Sequence, residues 1–381
     1  MKYRMLGNTG LKVSEIGYGG EHLLGRPFEL IDAVVNTAID GGVNIMDLFM
    51  PQPQLRSHIG RAIGKRRKNV MLQGHIGTAI QSDGQYLRTR DPKICDEFVR
   101  DFLTRYDTDY IDFGMIHYVD TEDEYKSAFD TPYIEYIHKL KKDGVIRFVG
   151  ASTHDAATAI KMVNTGFVDM IMFSINPVYD LCPNAFNLNI LSDHIKLEKL
   201  EIDPERMELY NLCAAKGVGI TVMKALGAGR LLNADITSLA SALTLNQCIS
   251  YALDRPAVSS VILGAETVAE MEQSIAYTNA SPEEKNYMAS LQSGLPMIGK
   301  KCMYCNHCLP CPQGIDVAAV TKYLDIATIS NNDLIRDHYR GLTAHGSDCV
   351  ECGSCEKNCP FNINVIENMK EAVRVFGTSV G

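Results

Sequence analysis

Residues 145–175 read VIRFVGASTHDAATAIKMVNTGFVDMIMFSI, and this stretch decides the fold. Its two outer runs, Val145–Ser152 and Asp169–Ile175, are rich in Val, Ile, Met and Phe and have the length of strands that are buried on both faces. Between them, Ala156–Asn164 has the apolar spacing of an amphipathic helix. The order strand, helix, strand predicts a βαβ unit, in which the two strands are parallel and the helix covers them.

The same alternation continues in both directions along the chain. The other apolar runs that we predict as strands are Glu15–Gly19, Val43–Leu48, Asn69–Ile76, Tyr110–His117, Gly219–Ala225 and Ser259–Gly264. The other helical patterns are Phe28–Asp40, Leu55–Ile63, Ile94–Tyr106, Asp123–Lys142, Pro204–Lys216, Leu239–Leu253 and Thr267–Tyr277. Eight strand–helix repeats predict an α/β protein with a (β/α)8 TIM barrel. An open doubly wound sheet is disfavoured, because Gly17–Gly25 lacks the GxGxxG spacing of a phosphate loop.

Composition narrows the class of protein further. The chain has 381 residues, of which 46% are hydrophobic and 22% charged, and its formal net charge is −9. This balance excludes intrinsic disorder, and the length accommodates a barrel with an appendage. With no run of about 18 apolar residues and no basic cluster, we expect neither a membrane span nor a nucleic-acid partner. The start MKYRMLGNTG lacks the apolar core of a signal peptide, which predicts a cytoplasmic protein.

Eight of the twelve cysteines lie in two short runs near the C-terminus. The runs are Cys302, Cys305, Cys308 and Cys311, followed by Pro312, and Cys349, Cys352, Cys355 and Cys359, followed by Pro360. The second run has the spacing of bacterial ferredoxins, in which the fourth cysteine binds the other cluster. Two zinc sites are the alternative, because CxxC pairs also bind zinc. Triplets of cysteines followed by Cys-Pro favour two [4Fe–4S] clusters, which carry electrons one at a time.

These patterns predict three parts of the chain. A barrel occupies 1–280, a linker helix 281–298, and a small, mainly helical ferredoxin-like domain 299–381. Ser281 as N-cap and Pro282 at the first helical position predict the start of the linker helix. Val317–Arg340 is predicted to be a helical segment between the two cysteine runs.

The sequence resembles the aldo-keto reductases that carry a C-terminal ferredoxin-like iron–sulfur domain. The segments that carry the resemblance are LGNTGLKVS at 6–14, GVNIMD at 42–47, YID at 110–112 with His117, GASTH at 150–154, MKALGAG at 223–229 and VILG at 261–264. The resemblance implies a TIM barrel that binds an extended nicotinamide dinucleotide at its C-terminal face and reduces carbonyl groups by hydride transfer. It also implies a catalytic tetrad of Asp, Tyr, Lys and His, in which the Tyr protonates the carbonyl oxygen.

Only half of that tetrad is present. Asp47 and His117 stand at the Asp and His positions, whereas Gln52 occupies the Tyr position and His75 the Lys position. Glutamine has no titratable proton, but an imidazole can serve as an acid or a base near neutral pH. We therefore predict that His75 exchanges the proton, Asp47 sets its tautomer and His117 hydrogen-bonds the substrate oxygen. Tyr118 is the alternative proton donor.

The resemblance also implies a set of cofactor-binding residues. They are Ser152, Asn176, Lys224, Gly227, Gly229 and Gly264. The cofactor expected from the resemblance is NADH or NADPH. Glu266 stands where the family often has Arg or Ser, and its charge would repel the 2′-phosphate of NADPH.

Polar residues at the strand ends leave an alternative function open. Glu21, His22, His75 and His117 form a ligand set for a divalent metal, with which the barrel would act as a lyase or isomerase without nicotinamide. The favoured interpretation is an iron–sulfur oxidoreductase that acts on a small carbonyl or hydroxyl substrate and exchanges electrons with an external carrier. The long stretch Asp180–Leu200 is predicted to be a substrate loop or lid.

Overall fold

The computed structural model describes residues 1–81, 86–181, 202–235, 237, 239, 241–292, 302, 308–329, 333–359 and 363–377. The chain forms two compact units. The first contains Met1–Asp180, Ile202–Gly227 and Leu243–Tyr287, and the second contains the described residues of Leu181–Glu201, Ala228–Ala242 and Met288–Gly381. Among the residues described, no helix is long and apolar enough to cross a membrane.

Twelve strands build the sheets. In chain order they are β1 (Tyr3–Met5), β2 (Lys12–Ser14), β3 (Ile16–Gly19), β4 (Ile45–Leu48), β5 (Met71–Ile76), β6 (Thr78–Ile80), β7 (Tyr86–Arg88), β8 (Ile111–Ile116), β9 (Ile146–Thr153), β10 (Met170–Ser174), β11 (Gly219–Met223) and β12 (Val258–Gly264). Eight of them, β3, β4, β5 and β8–β12, pair in parallel, and β12 pairs with β3 to close a barrel. The predicted (β/α)8 barrel is confirmed, because runs that are apolar throughout are stable as strands only when both faces are covered.

Sixteen helices accompany the strands in the described part of the chain. They are α1 (Phe28–Asp40), α2 (Pro53–Ile63), α3 (Pro92–Arg105), α4 (Glu122–Phe129), α5 (Pro132–Lys142), α6 (Ala156–Asn164), α7 (Pro177–Leu181), α8 (Pro204–Lys216), α9 (Leu245–Leu253), α10 (Val268–Ala276), α11 (Pro282–Lys285), α12 (Met288–Gln292), α13 (Val317–Ile329), α14 (Asp333–Arg340), α15 (Ser354–Asn358) and α16 (Val365–Phe376). The C-terminal region is therefore helical, as predicted.

Two barrel helices differ from their predicted extent. The single helix predicted over Asp123–Lys142 is two helices, because Pro132 has no N–H to donate and starts α5, with Thr131 as its cap. The helix predicted to start at Leu239 starts at Leu245 instead. There the Thr244 side chain accepts the N–H of the third helical residue, a glutamine, which returns the bond in a capping box.

The segments predicted to be helical beyond the barrel are also interrupted. Ser281 caps α11 as predicted, but α11 ends at Lys285 and α12 begins only at Met288, so 281–298 is not one helix. Residues 293–298 lie outside the described part. Val317–Arg340 contains α13 and α14, and residues 330–332 between them are likewise outside it.

Two antiparallel hairpins were missed, because strands of three residues are too short to show a period. The hairpin of β1 and β2 covers the N-terminal end of the barrel. A Cβ at Gly219, the first residue of β11, would lie 2.4 Å from Leu6 Cδ1, so this position tolerates no side chain. The hairpin of β6 and β7 follows β5 directly, with Ile80 opposite Tyr86. It stands at the C-terminal end of a barrel strand, where TIM barrels build their active sites.

Candidate functional site

Asp47, His75 and His117 come together at the C-terminal mouth of the barrel. They lie on β4, on β5 and directly after β8, three strands that pair in this order. His75 Nε2 is 2.8 Å from Asp47 Oδ1, and His75 Nδ1 is 2.7 Å from His117 Nδ1. The three residues are only 5%, 6% and 8% exposed, respectively. They form one buried row of hydrogen bonds rather than three independent groups.

The row continues to Tyr86, which the sequence analysis did not select. The Tyr86 hydroxyl lies 2.5 Å from His117 Nε2. Tyr86 is the first residue of β7, and 37% of it is exposed. The row of Asp47, His75, His117 and Tyr86, called the relay below, therefore connects a buried carboxylate to a partly exposed phenol.

The carboxylate decides the direction of these hydrogen bonds when both imidazoles are neutral. Asp47 can only accept, so His75 donates from Nε2 and accepts at Nδ1. His117 then donates a hydrogen bond from Nδ1 to His75, and its Nε2 accepts a hydrogen bond from the Tyr86 hydroxyl. Each group thus determines the tautomer of the next.

Burial favours the uncharged forms of His117 and Tyr86. It lowers the pKa of His117 well below that of an ordinary imidazole, and the nearby His75 and Arg90 lower it further. Burial likewise raises the pKa of the Tyr86 phenol above its ordinary value. His117 is therefore a poor place for a positive charge, and Tyr86 keeps its proton at neutral pH.

Three neighbours hold the relay in position. Gln73, fully buried on β5, donates its side-chain N–H to Asp47 Oδ1 at 2.8 Å. Phe49 stacks on the His117 ring, with 5.9 Å between the centroids and 10° between the planes. Arg90 donates to the His117 carbonyl oxygen at 2.5 Å. Of these three contacts, only that of Gln73 could be expected from the sequence. Gln73 and His75 are two residues apart on β5, so their side chains point to the same face of the strand.

Gln52 takes no part in the relay. It precedes α2 at the N-cap position and makes no side-chain capping bond there. Its Oε1 is buried, and no donor among the described residues reaches it. The position at which the resemblance expects a proton donor therefore holds a side chain that makes no hydrogen bond to the relay groups, and its buried oxygen is left without a donor among the described residues.

Tyr118, the alternative donor, belongs to a second cluster beside the relay. Its ring lies under the Arg88 guanidinium, 3.9 Å from the centroid, and 5.7 Å from the His154 ring. His154 Nδ1 is 2.8 Å from Asp120 Oδ2. Burial raises the pKa of the Asp120 carboxyl, but the charge and hydrogen bonds of His154 outweigh it and bring the pKa to about 2. This cluster is a half-buried pair of a carboxylate and an imidazole with an aromatic neighbour.

The residues predicted to bind a nicotinamide cofactor are divided between the units. Ser152, Asn176, Lys224, Gly227 and Gly264 belong to the first unit, and Gly229 belongs to the second. Ser152 Oγ accepts the backbone N–H of Tyr118 at 2.8 Å. Asn176 donates to the Lys224 carbonyl at 2.9 Å and accepts two backbone N–H groups of α7. Both side chains thus support the backbone at the barrel mouth.

His22 and an ion pair lie beside the exposed end of the eighth barrel strand. A Cβ at Gly264 would lie 2.0 Å from the His22 ring. Glu266 forms an ion pair with Arg26 and lies 4.0 Å from His22 Nδ1. The carboxylate that the sequence predicts to repel a 2′-phosphate is therefore paired with a cation at this strand end.

The metal site predicted for the barrel is not assembled. Glu21 and His22 lie on a short turn after β3, where His22 packs against Gly264, while His75 and His117 bind each other. Within the ranges that the structure describes, no three His, Cys, Asp or Glu side chains converge as ligands of a single ion. The alternative of one metal bound by these four residues is not favoured, because the nitrogens of His75 and His117 are hydrogen-bonded within the relay.

The C-terminal cysteines gather around the apolar core of the second unit. None of the seven described cysteines of the two runs is in a disulfide, and Cys305 lies outside the described residues. Cys308 and Cys359 belong to the core, and Cys302, Cys311, Cys349 and Cys355 pack against it. One concave surface is lined by Cys311 together with Cys349, Cys352 and Cys355. It joins the last cysteine of the first run to three of the second.

Most of the predicted lid lies outside the described residues, which include only Asp180 and Leu181 of 180–200. Asp180 itself is fully buried and accepts hydrogen bonds from Arg206, Tyr210 and Tyr251. This residue therefore fastens α7 to α8 and α9 instead of facing a substrate.

Comparison with known proteins shows which family the chain resembles. The profile described as "Aldo/keto reductase family" matches residues 15–244. The chain is 27% identical over 307 residues to the uncharacterized oxidoreductase YqkF of Bacillus subtilis (77% of this chain, 96% of the relative). It is 25% identical over 306 residues to L-galactose dehydrogenase of Arabidopsis thaliana (72% and 88%). The holo form of aldo-keto reductase AKR11C1 from Bacillus halodurans has the same fold, with a TM-score of 0.60, 22% identity and coverage of 76% and 96%.

Proposed function

Because the chain belongs to the aldo/keto reductase family, we propose that it is an iron–sulfur oxidoreductase that interconverts a small carbonyl compound and its alcohol. The reaction takes place at the relay, in the barrel mouth. The cysteines of the two C-terminal runs would hold two [4Fe–4S] clusters, which would supply electron transfer to and from an external carrier in the cytoplasm. The oxidoreductase class is that of the family; the clusters, the non-standard site and the carrier are the new parts of the proposal.

The concave surface lined by four cysteines carries the proposal of iron–sulfur clusters. A cube of four irons takes one thiolate per iron, so its ligands stand around the corners of the cube. A zinc ion would instead require four sulfurs about 2.3 Å from one point. Four of the described cysteines, the last of the first run and three of the second, line one concave surface, which is the division of ligands that a ferredoxin cluster uses.

The division of ligands follows from the same surface. Cys311, Cys349, Cys352 and Cys355 would hold one cluster, and Cys302, Cys305, Cys308 and Cys359 the other, as in bacterial ferredoxins. Left-handed backbone at Glu351 and Gly353, with φ of 55° and 74°, turns the chain tightly between the three clustered cysteines. Bound clusters would supply transfer of one electron at a time.

The relay supplies the proton on oxygen, one of the two protons that a two-electron reduction of a carbonyl takes up. Both nitrogens of His75 are hydrogen-bonded inside the protein, to Asp47 and to His117. His75 therefore passes a proton along the relay, and it does not reach the substrate directly as the sequence had suggested. We assign no step to NADH or NADPH.

Elimination or isomerisation assisted by a barrel metal is not favoured. That function requires Glu21, His22, His75 and His117 around one ion, and among the described residues no three such side chains converge on one point. The relay has the composition of a proton-transfer chain, with alternating donors and acceptors.

The first test is the content of iron, acid-labile sulfide and zinc in protein purified without oxygen. Two clusters give about eight irons and eight sulfides per chain. A Cys311→Ala variant should lose about half of the iron, whereas Cys213→Ala, at a fully buried position of the barrel unit, should lose none. Zinc without sulfide would contradict the clusters.

Turnover is tested with reduced methyl viologen, NADH or NADPH as electron donor and with methylglyoxal, pyruvate or 4-nitrobenzaldehyde as carbonyl. The His75→Gln variant should lower turnover by about 10²–10⁴-fold, the usual contribution of acid–base catalysis. The control is His138→Gln on α5, an exposed position away from the relay. Equal turnover of His75→Gln and wild type would show that the relay has no catalytic role.

A further inference from the structure

We propose that Tyr86 is the catalytic residue that exchanges a proton with the substrate oxygen. It replaces the tetrad tyrosine, whose position Gln52 occupies, although it comes from a different part of the chain. The inference rests on the proposed function, because it assumes that a carbonyl or hydroxyl compound reacts in the barrel mouth.

Its place at the end of the row singles out Tyr86 within the relay. The residue is 37% exposed, whereas the other three members are at most 8% exposed. His117 Nε2 faces the Tyr86 hydroxyl, and both nitrogens of His75 face relay partners. The Tyr86 hydroxyl is therefore the last group of the row, and its oxygen has lone pairs that no relay partner uses.

The two arginines that follow Tyr86 hold its strand in position. Tyr86 and Arg88 are two residues apart on β7 and so share one face of the hairpin. Arg88 stacks on Tyr118, and its Nη1 lies 3.7 Å from the Glu124 carboxylate. Arg90, just beyond β7, donates to the carbonyl oxygens of His117 and Tyr118. These contacts tie β7 to the turn after β8, which also carries the imidazole partner of Tyr86.

The relay has two states that differ by one proton. In the base state both imidazoles are neutral, Tyr86 donates to His117, and the phenol oxygen turns its lone pairs to the mouth. In the acid state His75 carries the additional proton beside Asp47, and it donates from Nδ1 to His117. His117 then donates from Nε2 to the Tyr86 oxygen, so the phenol proton turns to the mouth.

The proton step balances without moving electrons. A substrate hydroxyl gives its proton to the Tyr86 oxygen, Tyr86 gives its own proton to His117 Nε2, and His117 gives its Nδ1 proton to His75. The base state becomes the acid state, and the substrate becomes an alkoxide. Carbonyl reduction runs the same transfers backwards, from the acid state. The alkoxide becomes the carbonyl by losing two electrons and its carbon-bound hydrogen as a second proton. The electrons belong to the redox step of the proposed function, and the second proton goes to water.

Several charged and titratable groups lie near His117 and Tyr86. They are His75, Arg88, Arg90, Glu21, Tyr118 and His154. The arginines disfavour a positive charge on His117, so the additional proton is held at His75, next to the Asp47 carboxylate. Carbonyl reduction should therefore fall with rising pH, and alcohol oxidation should rise through the same midpoint.

The variants Tyr86→Phe and Tyr118→Phe of the holoenzyme test the assignment in the viologen assay. Tyr86→Phe should lower kcat by about 10²–10⁴-fold with little change in KM, and Tyr118→Phe should stay within about tenfold of wild type. Loss of kcat in Tyr118→Phe alone would overturn the assignment. Wild-type enzyme that reduces no probe would overturn the proposed function itself, which is a distinguishable result.

A second measurement follows the relay without turnover. 3-Fluorotyrosine is placed at position 86 of the full chain, and its fluorine resonance is recorded by NMR between about pH 5 and 9, the range in which imidazoles titrate. The resonance should show one transition that disappears in the His75→Gln background, because glutamine cannot hold the additional proton. A transition that persists unchanged in that background would overturn the coupling of Tyr86 to the relay.

Discussion

Replacing Asp47 by Asn tests the negative charge of the relay while leaving its hydrogen-bond geometry unchanged. Asp47 is 5% exposed, and its Oδ1 accepts one hydrogen bond from His75 and one from Gln73, each at 2.8 Å. An asparagine oxygen can accept the same two bonds. The variant therefore keeps the geometry and removes only the negative charge beside the additional proton of the acid state.

The expected size of the effect follows from the hydrogen bond between Asp47 and His75. A hydrogen bond to a charged group contributes about 1.5–3 kcal/mol and a neutral one about 0.5–1.5 kcal/mol. The difference is on the order of 1.4 kcal/mol, which equals about one pH unit. Because Asp47 stabilises the protonated state, its loss lowers the midpoint of the pH–rate profile by about one unit. Above the midpoint, carbonyl reduction should slow by about tenfold.

The assay is the rate of carbonyl reduction as a function of pH for wild type, Asp47→Asn and Asp123→Asn. Asp123 is an exposed carboxylate on α4, so its loss removes the same charge away from the site. Alcohol oxidation by Asp47→Asn should reach its plateau at correspondingly lower pH. An Asp47→Asn midpoint that equals that of wild type, or lies above it, would refute the acid state in which the additional proton rests beside Asp47.

Two further predictions concern the free energy of unfolding, measured with urea and circular dichroism. Asp120→Asn should lower it by about 2 kcal/mol at pH 7, since the carboxyl pKa is depressed from 3.8 to about 2; the difference from wild type should shrink as pH falls from about 4 to 2, and a constant difference would contradict it. Tyr251→Phe should cost about 1.5–3 kcal/mol, because it removes a hydroxyl 2.9 Å from the buried Asp180 Oδ2; a loss below about 0.5 kcal/mol would show that Asp180 does not depend on this bond.

The candidate site was predictable as far as it depends on strand ends. Asp47, His75 and His117 each end an apolar run, and parallel strands place their carboxyl ends at one mouth. The hydrogen bond from Tyr86 to His117 had no such signal, because it joins residues 31 positions apart through a hairpin whose strands are three residues long. The metal site predicted at Glu21, His22, His75 and His117 was unreliable for a similar reason. Strand order brings these residues near one another, but it does not determine which partner each imidazole nitrogen faces.

The sequence by itself determined the barrel and the ends of most helices, because both depend on local patterns. Runs that are apolar throughout form buried parallel strands, and capping residues such as Asp155 before α6 act within one helical turn. Tertiary structure alone decided that His75 lies behind His117 and that the Tyr86 hydroxyl faces His117 Nε2. Those arrangements depend on side-chain packing between segments distant in the chain, which no spacing along the sequence encodes.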